Sequence, residues 1–224
     1  MPPRKSGYRA NVGDVGGEPV LPEILSSGGK TLGDLRKEAA SCQACDLYKL
    51  GTQTVFGEGP QDADLMLMGE QPGDEEDKTG HPFVGPAGRI LDRALVDAGI
   101  DRNNVYITNA VKHFKWKPKG KVRLHQKPNA KEIAACRVWW AQELAVVKPR
   151  VLCCLGATAA QAVFGAKFRV TKQRGDFVEL VDGVQATATI HPSAILRIDE
   201  DDRRKVEYED LVDDLRAIRE RLAG

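Results

Sequence analysis

Three polar side chains stand where short apolar runs stop. Glu70 follows the run 63–68 and Gly69, Asn109 falls at the end of the run 104–110, and His191 follows 185–190. A carboxylate in such a place can orient water, polarise a partner or relay a proton. An imidazole can stabilise charge on a departing group, and an amide both donates and accepts hydrogen bonds. A lone glutamate there is more often a solvated loop residue, but the company of Asn109 and His191 at other strand ends points to a shared site. Gln71-Pro72-Gly73 turns the chain directly behind Glu70 and leaves backbone amides free.

A second loop, Gly80-His81-Pro82-Phe83-Val84-Gly85-Pro86-Ala87-Gly88, brackets an aromatic residue with glycines. Such a loop can approach a planar ligand closely while Phe83 stacks on it. Spacing alone favours the plainer alternative, a core phenylalanine at a helix start.

Charge is distributed unevenly. Lysine and arginine number 33 against 32 acids, a net charge of +1, so binding to nucleic acid through overall charge is excluded. Between Lys112 and Lys131, however, lie eight cations, Lys121 and Arg123 among them, and no acid. Phe114 and Trp116 are interleaved, and Pro118 with Gly120 predicts a loop rather than a helix. That is a footprint for phosphates, with aromatics available for unpaired bases. His125 lies within it, and spacing by itself gives that histidine no catalytic role.

The five cysteines are Cys42, Cys45, Cys136, Cys153 and Cys154. In a cytosolic chain they argue for metal, redox or core roles rather than disulfides. Only Cys42 and Cys45 have ligand spacing. Cys153 and Cys154 fall in a buried strand, where cysteine behaves as a small hydrophobe.

The elements that must position these groups alternate between strand and helix. Strands are predicted over 63–68, 104–110, 151–155 and 185–190. Helices are predicted from Thr31 into the cysteine pair, over 86–98, over 129–147 with Asn129 and Glu132 as caps, from 157 to about 164, and over 208–222. This order implies parallel β-α-β units, a sheet covered on both faces and a site beyond the carboxyl ends of its strands. Residues 1–30, rich in glycine and proline, read as a flexible arm, and 31–224 as a single domain large enough for a real core, with 42% hydrophobic residues. No run approaches the roughly 18 apolar residues of a membrane span, and no apolar stretch follows the basic N-terminus. A cytoplasmic protein is expected.

Four ordered motifs then carry a resemblance. Gly69-Glu70-Gln71-Pro72-Gly73-Asp74, Pro82-Phe83-Val84-Gly85-Pro86-Ala87-Gly88, Thr108-Asn109-Ala110-Val111-Lys112 and His191-Pro192-Ser193 are similar to those of the family 4 iron–sulfur uracil-DNA glycosylases. The chain most resembles the UdgX branch, because Lys121-Val122-Arg123-Leu124-His125 looks like that branch's inserted basic loop, and Lys112-His113 stands where ordinary members have Lys-Cys. The resemblance implies a three-layer α/β/α fold with a mostly parallel sheet and a [4Fe–4S] cluster held by Cys42, Cys45, His113 and Cys136. A Cys3His set would also suit zinc. It implies uracil held by Gln71, Phe83 and Asn109, and DNA contacted by Lys121, Arg123 and Ser193. Glu70, His125 and His191 would be catalytic.

The implied reaction is excision of uracil from DNA, single strands preferred because flipping a base from them costs less. His125 would then bond to C1′ of the abasic site, with free uracil as product and the enzyme acting as a monomer near the nucleoid. Rival readings are a multiple-turnover glycosylase with His125 as a DNA contact, a non-catalytic binder of uracil-containing strands, and a zinc-stabilised nucleic-acid module.

Overall fold

The computed structural model describes residues 28–180 and 182–224, so the expected arm lies outside the described residues except for 28–30. At Thr31 the hydroxyl accepts from the Asp34 N–H while the Asp34 carboxylate accepts from the Thr31 N–H. This reciprocal box starts α1 (Leu32–Ala39).

The chain continues through β1 (Leu65–Gly69), α2 (Asp74–Thr79), α3 (Pro86–Ala98), β2 (Val105–Asn109), β3 (Trp116–Lys119), β4 (Val122–His125) and α4 (Ala130–Val147). It then forms β5 (Val151–Leu155), α5 (Ala157–Phe164), α6 (Val170–Gln173), β6 (Val178–Glu179), β7 (Gln185–Thr189), α7 (Pro192–Ile195) and α8 (Asp201–Ala223). The main sheet has the order β2-β1-β5-β7-β6; the first four strands are parallel, and the two-residue β6 runs antiparallel to β7 at the edge. Every residue of β1, β2 and β5 is buried, which explains their near-continuous apolar runs.

Strand alternation divides the core in two. Met66, Met68, Tyr106, Leu152 and Cys154 face α4 and α5, where Trp140, Ala141, Leu144, Ala160 and Val163 pack. Leu65, Leu67, Ile107, Val151, Cys153 and Leu155 face α3 and α8, against Leu91, Leu95, Leu211, Leu215 and Ile218. The two adjacent cysteines of β5 thus serve opposite cores, as expected of small buried hydrophobes. The result is the expected α/β/α layering.

Three expectations need correction. The first helix ends at Ala39, with Ala40 as its C-cap, and does not run into the cysteine pair. The closing helix begins at Asp201 rather than 208, because its first turns are exposed and carry no apolar periodicity. The basic stretch is a two-stranded antiparallel hairpin, not a loop, with Trp116 opposite His125 and Pro118 opposite Arg123.

Candidate active site

The carboxyl ends of β1, β2, β5 and β7 open onto a cavity of about 650 Å³ lined by Glu70, Phe83, Asn109, His125, Thr158 and His191, among others. Five of these six were expected on sequence grounds, and they come from separate segments, as the switch-point rule requires.

Close approach governs one wall. Gly69 ends β1 opposite Asn109, and a Cβ at Gly69 would run into Asn109 Oδ1 and lie 2.6 Å from Phe83 Cζ. Only glycine lets the amide and the ring meet there. Phe83 itself sits at φ 56°, and the absence of a side chain on Gly88 leaves room for its carbonyl. The ring is 5% exposed and tilted against His191, with centroids 5.8 Å apart. Phe83 is therefore both a core residue and a wall of the cavity. Asn109 Oδ1 is buried with no hydrogen-bond partner, an acceptor held ready for a donor the protein does not supply.

On the opposite wall, Glu70 Oε1 lies 3.2 Å from His125 Nε2, and its other oxygen accepts the Thr158 hydroxyl at the start of α5. Burial pushes the Glu70 carboxyl up, but the hydrogen bonds from His125 and Thr158 outweigh it and hold it below the usual carboxylate range. Glu70 stays ionised, an acceptor for an imidazole proton.

His191 caps α7. Its Nδ1 accepts the Ser193 backbone N–H at 3.1 Å and lies 2.8 Å from the Ser193 hydroxyl. A backbone N–H can only donate, so Nδ1 is bare and the ring proton sits on Nε2. Burial lowers the pKa of His191 to about 4. The ring is a neutral N–H donor at ordinary pH. Ser193, expected as a DNA contact, fixes this tautomer.

The hairpin is anchored from below. Arg123 donates from Nε to Asp74 Oδ1 at 2.5 Å and from Nη1 to Asp77 Oδ2 at 2.6 Å. Its guanidinium lies 5.4 and 5.5 Å from the ring centroids of Phe114 and Trp116. Its donors are thus committed to two carboxylates of α2, where a phosphate contact was expected. Phe114 is buried and so not free for bases, while Trp116 is half-buried and donates its indole N–H to the Leu50 carbonyl. Lys112 is likewise fully buried and Lys115 pairs with Glu132, leaving Lys117, Lys119, Lys121, Lys127 and Lys131 exposed.

Gln71 departs from its expected part as well. Its Oε1 accepts from Lys115 N, and its Nε2 donates to the carbonyls of Lys115 and Gln126 at 3.3 and 3.0 Å. The side-chain amide staples the two feet of the hairpin, while the residue itself lines the cavity.

Three of the four expected ligands, Cys42, Cys45 and Cys136, lie close enough to feel one another's charge. The thiol of Cys136 is pushed up to about 12 by burial and feels the charges of Cys45 and Cys42. It accepts the Lys112 backbone N–H at 3.2 Å, while Cys42 Sγ accepts Trp139 Nε1–H at 3.2 Å. Among the described residues no three ligating side chains converge on a single ion. Each ligand of a polynuclear cluster meets its own iron, and N–H donors to the sulfurs are what such clusters use. His113 Nε2 lies 2.9 Å from Thr54 Oγ1, whose own proton goes to the Ala39 carbonyl. Thr54 therefore accepts from Nε2–H, leaving Nδ1 bare, the arrangement a ligating histidine needs. Burial also lowers the pKa of His113, which favours the neutral ring. The donor set fits a cluster.

Sequence reasoning missed Thr158, Asp74, Asp77 and a buried network around Lys112 and Glu143. Thr158 alone had a usable signal, its place just beyond the third strand.

Comparison with known proteins agrees with this architecture. The family model described as the uracil DNA glycosylase superfamily matches residues 56–216. The type-4 uracil-DNA glycosylase of Thermotoga maritima is 39% identical over 171 residues, covering 76% of this chain and 85% of that protein. Those of Archaeoglobus fulgidus and Pyrobaculum aerophilum are 34% and 36% identical, covering 75% and 70% of this chain and 84% and 80% of their own. No helix among the described residues is long and apolar enough to cross a membrane. With strand-end groups, cavity and matching sequence in agreement, the chain belongs to the uracil DNA glycosylase superfamily, alongside its type-4 members.

Proposed function

We propose that this protein excises uracil from DNA and then becomes covalently joined to the abasic site through His125. The observation that carries the second half is the approach of His125 Nε2 to Glu70 Oε1, 3.2 Å, on the rim of the cavity that Asn109 and His191 also line. Uracil flipped into the cavity lies against Phe83. Its N3–H meets the unpartnered Asn109 Oδ1, a donor that cytosine lacks.

The N1–C1′ bond breaks with its electron pair leaving on the base, and the neutral Nε2–H of His191 stabilises the resulting uracil anion. The sugar is left as an oxocarbenium ion. In place of water, one ring nitrogen of His125 supplies the electron pair for a new bond to C1′, and the ring's proton passes to the Glu70 carboxylate. No leaving route follows from a C–N bond of this kind, so each molecule reacts about once.

The set Cys42, Cys45, His113 and Cys136 would hold an iron–sulfur cluster of the [4Fe–4S] type, which when bound contributes bracing and electron storage. The chain's own part is to bury Cys136 and offer N–H donors from Lys112 and Trp139 to Cys136 and Cys42. The exposed lysines of the hairpin, Lys121 among them, would meet phosphates, on single strands in preference to duplex, in a monomeric complex.

A denaturing gel of protein mixed with a uracil-containing oligonucleotide tests the reading. A band shifted to protein–DNA mass and resistant to heat and detergent is expected, and His125→Ser should abolish it. Free uracil with no shifted band would reduce the protein to an ordinary turnover glycosylase, and no uracil at all to a binder.

A further inference from the structure

We propose that Lys112 is a positioning residue for Asn109, and through it for the choice of uracil; the inference rests on the excision reading above. Lys112 is fully buried, and its ammonium uses all three donors: 2.5 Å to Glu143 Oε2, 2.5 Å to Thr108 Oγ1 and 3.0 Å to the Asn109 carbonyl. Buried ion pairs are often no more stabilising than apolar residues of similar volume, so this pair is better explained by what it holds in place.

What this pair holds is the outgoing end of β2. Glu143, from α4, also accepts the hydroxyls of Tyr106 and Thr108 and the Gly57 N–H, so the face of β2 on its side is tied to one carboxylate. Beyond the ladder, Lys112 alone among the side chains of the described residues reaches the Asn109 carbonyl. Its own backbone is fixed, donating to Cys136 Sγ and accepting from Val55 N at 2.8 Å. The ammonium therefore reaches Asn109 from an immobile point. Asn109 carries the orphan Oδ1 in the cavity, confined there by Gly69 and Phe83. An acceptor that must meet one N–H of a flipped base gains from a carbonyl held on the far side, since a displacement of about 1 Å can cost on the order of 100-fold in rate.

The test is a coupling cycle on the full-length protein as isolated, read by single-turnover uracil release. Lys112→Met is expected to slow release on the order of 100-fold with DNA affinity unchanged. The pair Asn109→Ala with Lys112→Met should be no slower than Asn109→Ala alone, because the lysine acts only through the asparagine. Losses that add independently, or a Lys112→Met protein as fast as wild type, would overturn the proposal. Should Lys112→Met fail to fold because Glu143 is left unpaired, Lys112→Met with Glu143→Gln removes both charges and must show the same pattern.

The side-chain amide signals of Asn109, followed by NMR, give a second readout that needs no reaction. They are expected to shift or broaden in the Lys112 variant, and unchanged signals would count against the proposal. A wild-type protein that releases no uracil would sink the excision reading, while the NMR result still judges the positioning of Asn109.

Discussion

Glu70 is gripped from two sides: His125 Nε2 stands 3.2 Å from one of its oxygens, and the Thr158 hydroxyl donates to the other. A strand end, a hairpin and a helix start thus meet on a single carboxylate. Each contact keeps that carboxylate charged in a place where burial would otherwise neutralise it.

Thr158→Val removes one of the two hydrogen bonds that lower the Glu70 pKa, while burial still raises it. The folded pKa therefore moves up. Any step that needs the ionised carboxylate is lost at a higher pH as the solution is acidified. Single-turnover capture rates across a pH series should show the acid limb displaced upward, with the rate near neutrality changed far less. An acid limb that stays in place would mean Thr158 does not set the charge of Glu70.

Arg123 connects the hairpin to α2, and Asp77 beneath it is fully buried. Arg123→Ala leaves that carboxylate with Thr52 as its remaining side-chain partner and frees β4. A loss on the order of 1–3 kcal/mol in urea unfolding is expected. Capture should fall much more than uracil release, because only capture needs His125 in place. Arg123→Lys should rescue little, since an ammonium cannot serve both aspartates as the fork does.

Lys117, Lys119 and Lys121 are exposed on the hairpin. Replacing all three with Ala should weaken DNA binding and flatten its salt dependence by up to about one unit of slope per lost phosphate contact. Release at saturating DNA should persist. An unchanged salt slope would show that the hairpin does not follow the backbone.

His191 has a folded pKa of about 4 against about 6.5 in an unfolded chain. Between these values the unfolded state binds the extra proton. His191 therefore contributes stability that is present above the unfolded pKa and lost as pH falls from about 6.5 toward 4. Denaturant midpoints for wild type and His191→Asn should converge across that window on acidification. NMR should report a neutral ring protonated at Nε2 near pH 7.

Much of the scaffold was legible because its signals are local. The Thr31–Asp34 and Asn129–Glu132 boxes mark helix starts by side-chain chemistry alone, β1 and β5 announce themselves by apolar runs, and β2 by Val105-Tyr106-Ile107. Glu70, Asn109 and His191 were readable because strand ends converge. The parts of Gln71, Arg123 and Ser193 were not, since each is decided by partners distant in sequence or by a hydrogen-bond direction. Gln71 finds Gln126, Arg123 finds Asp74, and Ser193 reveals its part only when the donor at His191 Nδ1 is known. The Lys112–Glu143 pair was hidden for the same reason, one partner in a basic stretch and the other inside a helix.

The most direct measurement is mass spectrometry of the protein after reaction with a uracil-containing oligonucleotide and nuclease digestion. Covalent capture requires one peptide, that spanning His125, to gain the mass of the remaining deoxyribose fragment, with the added mass on the imidazole. An unmodified His125 peptide alongside complete uracil release, or an adduct on any other residue, would contradict it.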